Sequence, residues 1–481
     1  MEIIGNYAFK GCTSLESVEL PKTLWKIGES GFYGCAVLKE MNMPDSVTVM
    51  GAYAFKGCEG MESLHISAGL VGLNESAFYG CSSLTEVFVP EGIKRIDSYV
   101  FKNCSGLISV NLPSTLTKLG ESAFYGCSSL NNMDIPDDIT SIGSYTFKNC
   151  TALEKVTLPE TLTSIGEAAF YGCTNLEEIV MPETVSYVKA YAFKNCTNLK
   201  RIALSSSIER INEAVFYGCT NLEEIVIPDT VTKIDSYAFK NCISLRKVQL
   251  SSSLTQINES TFYGCTSLES LVLPENVTSI GSYAFRKCSS LKNVEFSVDL
   301  TTIGESAFYG CEALTAILLP EGVTEIGAYA FKTCTGMDEL SLPDSLEIIG
   351  ESAFYGCTGM TEISIPCNVR TVGGYAFARC VSLTFIEFMG DAPTIGENAF
   401  SKVISEVYYP AGNDTWTLDV MQNYGGTLTW MTDEESAVVY EETFYNDDEI
   451  DMLESDILES ESEVYDSETM ESDFEELSVL Q

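Results

Sequence analysis

The chain has 481 residues and carries 69 Asp and Glu against 27 Lys and Arg, a formal charge of −42. That balance excludes nucleic acid and anionic membrane as expected partners, since both are held by neutralising Lys and Arg. No apolar run reaches the roughly 18 residues of a membrane-spanning helix, and the N-terminus lacks the basic and apolar regions of a signal peptide.

Length alone would suggest about three domains, but a repeat overrides that expectation. Seventeen of the 18 cysteines, from Cys12 through Cys35 and Cys58 to Cys380, recur every 23 residues without insertion or deletion. A fixed period in the twenties is the signature of a solenoid, whose units bury their apolar faces only by stacking. Met1 falls where the second half of a unit begins. This leaves the first unit without its strand and points to a chain that continues upstream.

One cysteine per unit gives a single file of thiols, not the clusters with histidine that zinc requires; the one histidine is His65. A reduced, buried ladder is therefore expected. Rungs about 5 Å apart would also lie within the Cα range of a disulfide, so spacing alone leaves bridging open. Cys367, out of phase beside Pro366, is expected to be an exposed or half-exposed thiol.

A representative unit runs CTALEKVTLP from Cys150 to Pro159, then ETLTSIGEAAFYG. Leu153, Val156 and Leu158 end in the alternation of a short strand with one buried face, and Pro159 closes it. Leu162 and Ile165 supply a second wall. Ala169, Phe170 and Cys173 fill the interior from a turn or a short helical piece. After the isoleucine, eighteen copies hold twelve Gly, three Asn, two Asp and Lys189. Because these residue types, Lys189 apart, tolerate positive φ, Gly28, Gly166, Asn212 and Asp235 are read as a left-handed turn.

Units of the form LPxTLTxIGxxAFxxCxxLxxVxL resemble the BspA-like class of leucine-rich repeats across about residues 1–410. The resemblance implies a curved solenoid, α/β-type or mainly β, with a parallel sheet of short strands on one face. It also implies an extracellular or cell-surface setting, mainly in bacteria, with adhesion and protein binding and without catalytic residues. The absent signal peptide keeps a cytosolic scaffold open. Tyr408 to Trp430 is similar to the segment that closes such arrays in Gram-positive gut bacteria.

The units alternate, so the sequence period is 46 residues. Odd units carry Tyr and Lys, as in Tyr53/Lys56 and Tyr145/Lys148; even units carry Glu and Tyr, as in Glu75/Tyr79 and Glu167/Tyr171. If coils stack in register, each Lys from Lys10 to Lys332, with Arg286 among them, lies beside tyrosines of the coils above and below. A cation–π ladder is expected; duplication of a two-unit block would leave the same alternation.

In the strand, residues five and seven after the cysteine point away from the core. At the seventh position even units carry Phe88, Val180, Val226, Val272 and Leu318. This face, with Glu86, Glu178 and Glu224 giving it an acidic rim, is the candidate binding surface for a protein or glycan. Valine also favours strands wherever it sits, which suits a stiff spacer that binds nothing. No phosphate-cradling loop, HExxH or Ser/His/Asp set occurs, so neither enzyme activity nor a cofactor or metal is expected.

The chain is accordingly divided into a solenoid (1–403), a capping segment (404–431) and an acidic tail (432–481). Twenty Asp and Glu lie between Asp433 and Glu476, and no Lys or Arg follows Lys402. Unopposed charge and low hydrophobicity predict disorder there.

Overall fold

The computed structural model describes residues Met1–Glu434; most of the acidic tail lies outside them. From Met1 to Thr432 the chain is a stack of coils built from short parallel strands and turns, with no helix between strands. The α/β alternative therefore gives way to an all-β coil. The segment around Ala169 and Phe170 is a turn and not a helical piece.

Each coil contributes two strands to two walls. One wall is made of three-residue strands such as Lys155–Thr157 and Glu178–Val180, whose central side chain is buried between two exposed ones. The other consists of two-residue strands such as Ser164–Ile165, with the isoleucine inward. Register is exact in the sense that residue i pairs with i+23: Ser164 with Tyr187, Ile179 with Ile202. A third wall closes the coil through backbone bonds between turns. Tyr145 N donates to Glu167 O at 2.8 Å, Phe147 N to Ala169 O at 2.8 Å and Asn149 N to Tyr171 O at 2.7 Å.

The left-handed residues lie on this third wall, and this corrects the sequence expectation. Positive φ occurs two residues after the glycine phase, at Ser30 (52°), Tyr145 (59°) and Ala168 (48°), and again just before the cysteine, at Gly34 (71°) and Asn149 (60°). Gly28, Gly166, Asn212 and Asp235 are not among the positive-φ residues. Glycine is favoured at that phase by close approach. A Cβ on Gly166 would sit 2.5 Å from Gly143 C and 2.5 Å from Ser144 N of the preceding coil. Where asparagine replaces it, the side chain contributes a bond instead: Asn212 Nδ2 donates to Val188 O at 2.6 Å.

The interior is a set of files running along the stack. One phenylalanine per coil, Phe9 to Phe400, stacks on the next with ring centroids 5.0–5.8 Å apart. Beside it, the in-phase cysteines from Cys35 to Cys380 are buried free thiols, with Cys12 half-buried at the first coil and Cys367 exposed. Each buried thiol donates to a phenylalanine carbonyl of the preceding coil, as Cys173 Sγ does to Phe147 O at 3.1 Å. The thiol is thus a second donor to a carbonyl that already accepts a backbone amide within its own coil, as Phe147 O does from Cys150 N at 3.1 Å.

At the end of the stack, Ile404–Tyr409 and Thr427–Thr432 form six-residue strands paired in parallel over their whole length. Trp416 packs on Phe388 (4.8 Å), Tyr409 (5.6 Å) and Trp430 (5.5 Å), and its Nε1 donates to Gly390 O at 3.0 Å. These aromatics cover the last coil.

Candidate functional site

The three-residue strands do not form one continuous ladder. They are bonded two by two, an even unit with the odd unit after it: Glu86–Phe88 with Ser109–Asn111, Asn132–Asp134 with Lys155–Thr157, Glu178–Val180 with Arg201–Ala203. Within a pair the amide four residues after the cysteine is short-bonded, as Lys200 N to Glu177 O at 2.9 Å. Across the junction it is stretched, as Glu177 N to Glu154 O at 3.4 Å and Glu223 N to Lys200 O at 3.5 Å. Side chains follow the same alternation. The even-unit residue that ends the strand is buried (Met181, Ile227, Leu273), whereas the odd-unit leucine is half-buried (Leu158, Leu204, Leu250).

Open grooves lie at these junctions. One of about 910 Å³ runs between Lys155–Thr157 and Glu178–Val180; Leu158 and Met181 line it, with Glu160 and Glu183 at its edge. Smaller ones of 350 and 400 Å³ lie beside Asn111 with Asp134, and Ser341 with Ser364. On the rim of the large groove, Glu183 accepts from Ser206 Oγ and, at 2.9 Å, from Ser206 N, which holds its carboxyl below the usual range.

All the apolar residues singled out from the sequence are exposed on this wall: Phe88 (65%), Val180 (60%), Val226 (59%), Val272 (59%) and Leu318 (59%). Register places other side chains between them. Val180 is beside Ala203, Val226 beside Gln249, Val272 beside Glu295 and Leu318 beside Ser341. The continuous apolar stretch is therefore Val180–Ala203–Val226, and the others stand singly. Of the acidic rim, Glu178 lies beside Arg201 and Glu224 beside Lys247, while Glu86 faces Ser109. The neighbouring row holds the ion pairs Lys200–Glu177 (3.4 Å) and Arg246–Glu223 (3.1 Å). From the sequence Leu158 reads only as a strand residue, and the groove-lining Met181 and Glu183 are not singled out, although the 46-residue alternation of the units is visible.

The third wall carries the cation–π ladder. Lys148 Nζ lies 5.7, 5.4 and 4.7 Å from the ring centroids of Tyr125, Tyr145 and Tyr171. A second row locks it: Tyr145 Oη donates to Glu167 Oε1 at 2.7 Å, and Tyr191 Oη to Glu213 Oε1 at 2.7 Å. The Glu167 bond is the main cause that pushes the Tyr145 phenol up to about 12; for Tyr191, also at about 12, burial leads and Glu213 adds to it.

Among the described residues no group of three or more His, Cys, Asp or Glu is placed to hold a metal ion, and no helix is long and apolar enough to cross a membrane. Stacked 23-residue coils with a buried leucine, phenylalanine and cysteine file define a leucine-rich-repeat solenoid. The chain belongs to the BspA type leucine rich repeat family, whose six-copy model matches residues 2–131, 94–223, 209–338, 278–407 and 324–450. That family is generally surface-associated.

Among solved structures, a leucine-rich repeat protein from Bacteroides ovatus ATCC 8483 is 30% identical, over 75% of this chain and 94% of that one, with a TM-score of 0.65. One from Eubacterium ventriosum ATCC 27560 is 25% identical over 57% and 83%, with a TM-score of 0.43. A leucine rich cell surface protein from Faecalibacterium prausnitzii A2-165 is 26% identical over 80% and 83%, with a TM-score of 0.33. A search of curated proteins found no match.

Proposed function

We propose that the protein is a non-catalytic binding protein of the bacterial cell surface, which takes a protein or glycan ligand on the wall of three-residue strands. The observation that carries this reading is the groove of about 910 Å³ beside the Val180–Ala203–Val226 stretch, with exposed apolar side chains next to a half-buried leucine floor. Concave surface with apolar lining and a few fixed polar groups is what ligands use. In this reading residues 1–403 present the surface, 404–431 cap it and 432–481 form an acidic tail.

The competing reading is a stiff spacer with no specific ligand. It is favoured by the charges of the same wall, which are partnered within the chain by Lys200–Glu177 and Arg246–Glu223. The test is binding of the full chain to a panel of extracellular-matrix proteins and immobilised glycans, beside Val180→Lys/Val226→Lys with its melting curve checked. A ligand retained by the wild type and lost by a folded variant supports the binding face. A ligand held equally by both places binding elsewhere, and no ligand for either leaves the spacer.

A further inference from the structure

The cation–π ladder stops before the stack does, and an open groove lies beside the break. At the ladder positions of the two coils after Tyr355, alanine (Ala378) stands where odd units hold lysine or arginine, and serine (Ser401) where even units hold tyrosine. The backbone continues unbroken: Gly356 N donates to Ala378 O at 2.8 Å and Arg379 N to Ser401 O at 2.7 Å. Only side chains are missing. Tyr309 has Arg286 on one side (4.6 Å) and Lys332 on the other (5.6 Å), whereas Tyr355 has Lys332 at 4.8 Å and no ladder cation after it.

Ala378 itself is buried, and beside the interrupted ladder lies an open groove of about 530 Å³ lined by Tyr355, Gly356, Thr358, Val381, Arg379 and Lys402, with Thr333 at its edge. Its chemistry differs from that of the three strand-wall grooves. Those are lined with carboxylates; this one has none in a chain of charge −42. Two cations have instead been placed beside it at a phase that even units otherwise give to glycine and odd units mostly to Gly or Asn. Arg379 and Lys402 stand on consecutive coils with φ of 61° and 67°, a backbone conformation unfavourable to long side chains. Arg379 Cζ lies 5.9 Å from the Tyr355 centroid, and Val381, at a phase otherwise dominated by Ser and Thr, is 60% exposed.

We infer that this groove binds an anionic saccharide: the C–H face of a sugar ring on Tyr355 and Val381, its acidic group on Arg379 and Lys402. An aromatic face with an apolar neighbour accepts the ring. A guanidinium and an ammonium with no competing carboxylate accept the charge. The shared chemistry covers a carboxylate or a sulfate on the sugar. The site is on a different wall from the proposed binding face and does not depend on it.

The test is calorimetric titration of the full chain with tetragalacturonate, a sulfated tetrasaccharide and a neutral tetrasaccharide. At least one anionic probe binds and the neutral one does not; which anionic probe binds identifies the acidic group. Ala378→Lys, which restores the ladder's own residue, abolishes binding while the melting temperature holds or rises. Arg379→Gln/Lys402→Gln weakens binding at least about tenfold and covers the case in which the first variant misfolds. Val180→Lys/Val226→Lys leaves this binding unchanged, which separates it from the strand wall. Failure of both anionic probes, equal binding of the neutral one, or unaltered affinity in folded Ala378→Lys overturns the inference.

Discussion

Replacing Phe170 by alanine tests whether the coils are held together by the phenylalanine file. Phe170 has no exposed surface, and its ring stacks at 5.3 Å on Phe147 and at 5.3 Å on Phe193. Truncating a fully buried phenylalanine costs about 3–5 kcal/mol, of which the cavity is part. Typical domains hold a net stability of about 0.05–0.15 kcal/mol per residue, so one 23-residue coil contributes about 1–3 kcal/mol. The loss therefore exceeds what a coil contributes, and in an array whose units contact only their neighbours the damaged coil becomes a boundary. Guanidinium unfolding of Phe170→Ala followed by circular dichroism shows two transitions, and hydrogen exchange shows protection lost first around residues 147–193. The same change at Phe9, half-buried with Phe32 as its stacked neighbour, lowers the midpoint less and leaves one transition. A single unshifted transition for Phe170→Ala, or equal effects at both positions, would refute the account.

Three further outcomes follow from the third wall and the thiol file. Lys148→Ala lowers stability by about 1–2 kcal/mol through lost cation–π and stem packing, and Lys148→Met recovers only the packing share; a Met variant as stable as wild type would remove the cation from the argument. Tyr145 and Tyr191 have folded-state values raised to about 12 from 10.0, so their stabilisation is complete below pH 10 and is lost as pH rises toward 12. Phenol absorbance then shows a late-ionising class that Glu167→Gln shrinks, and one common midpoint near 10 would contradict it. Burial pushes file thiols such as Cys150, Cys196 and Cys219 up, Cys219 to about 12, and encloses the file, so a thiol reagent labels Cys367 at once and Cys12 slowly, and the rest only on unfolding; rapid labelling of more than two cysteines in the folded chain would break the buried file.

The period, the inward faces and the cation–π ladder were legible because each repeats with one residue type at one phase. Val156, Ile165 and Phe170 sit inward as alternation predicts, and Lys148 lies among three tyrosines as stacking in register requires. The glycine phase was misread for a physical reason. Positive φ and close backbone approach both select glycine, and the Asn and Asp copies tipped the reading toward φ. The structure shows Asn212 tolerated there through its bond to Val188 O, while one left-handed phase holds Tyr145, Ser30 and Ala168, which composition does not mark, and the other, just before the cysteine, holds Gly34 and Asn149, which it does. The Tyr145–Glu167 bond joins residues 22 apart. It escapes a search at the repeat length because the donor and acceptor occupy different phases.

The 46-residue block connects these observations. It sets the Lys/Tyr alternation on one wall and the two-by-two strand pairing on another, so grooves open at block boundaries. A uniform array would present one surface repeated. Here the shared backbone register keeps every coil in place, as the Ala378 and Ser401 amide and carbonyl bonds show, and this frees individual side chains to vary without breaking the stack. Departures from the repeat are therefore the positions at which selection for something other than stacking is legible. On the strand wall they are Val180 and Ala203 side by side; on the ladder wall they are Ala378, Arg379, Ser401 and Lys402, where the stacking side chains are given up and two cations line the groove beside the break.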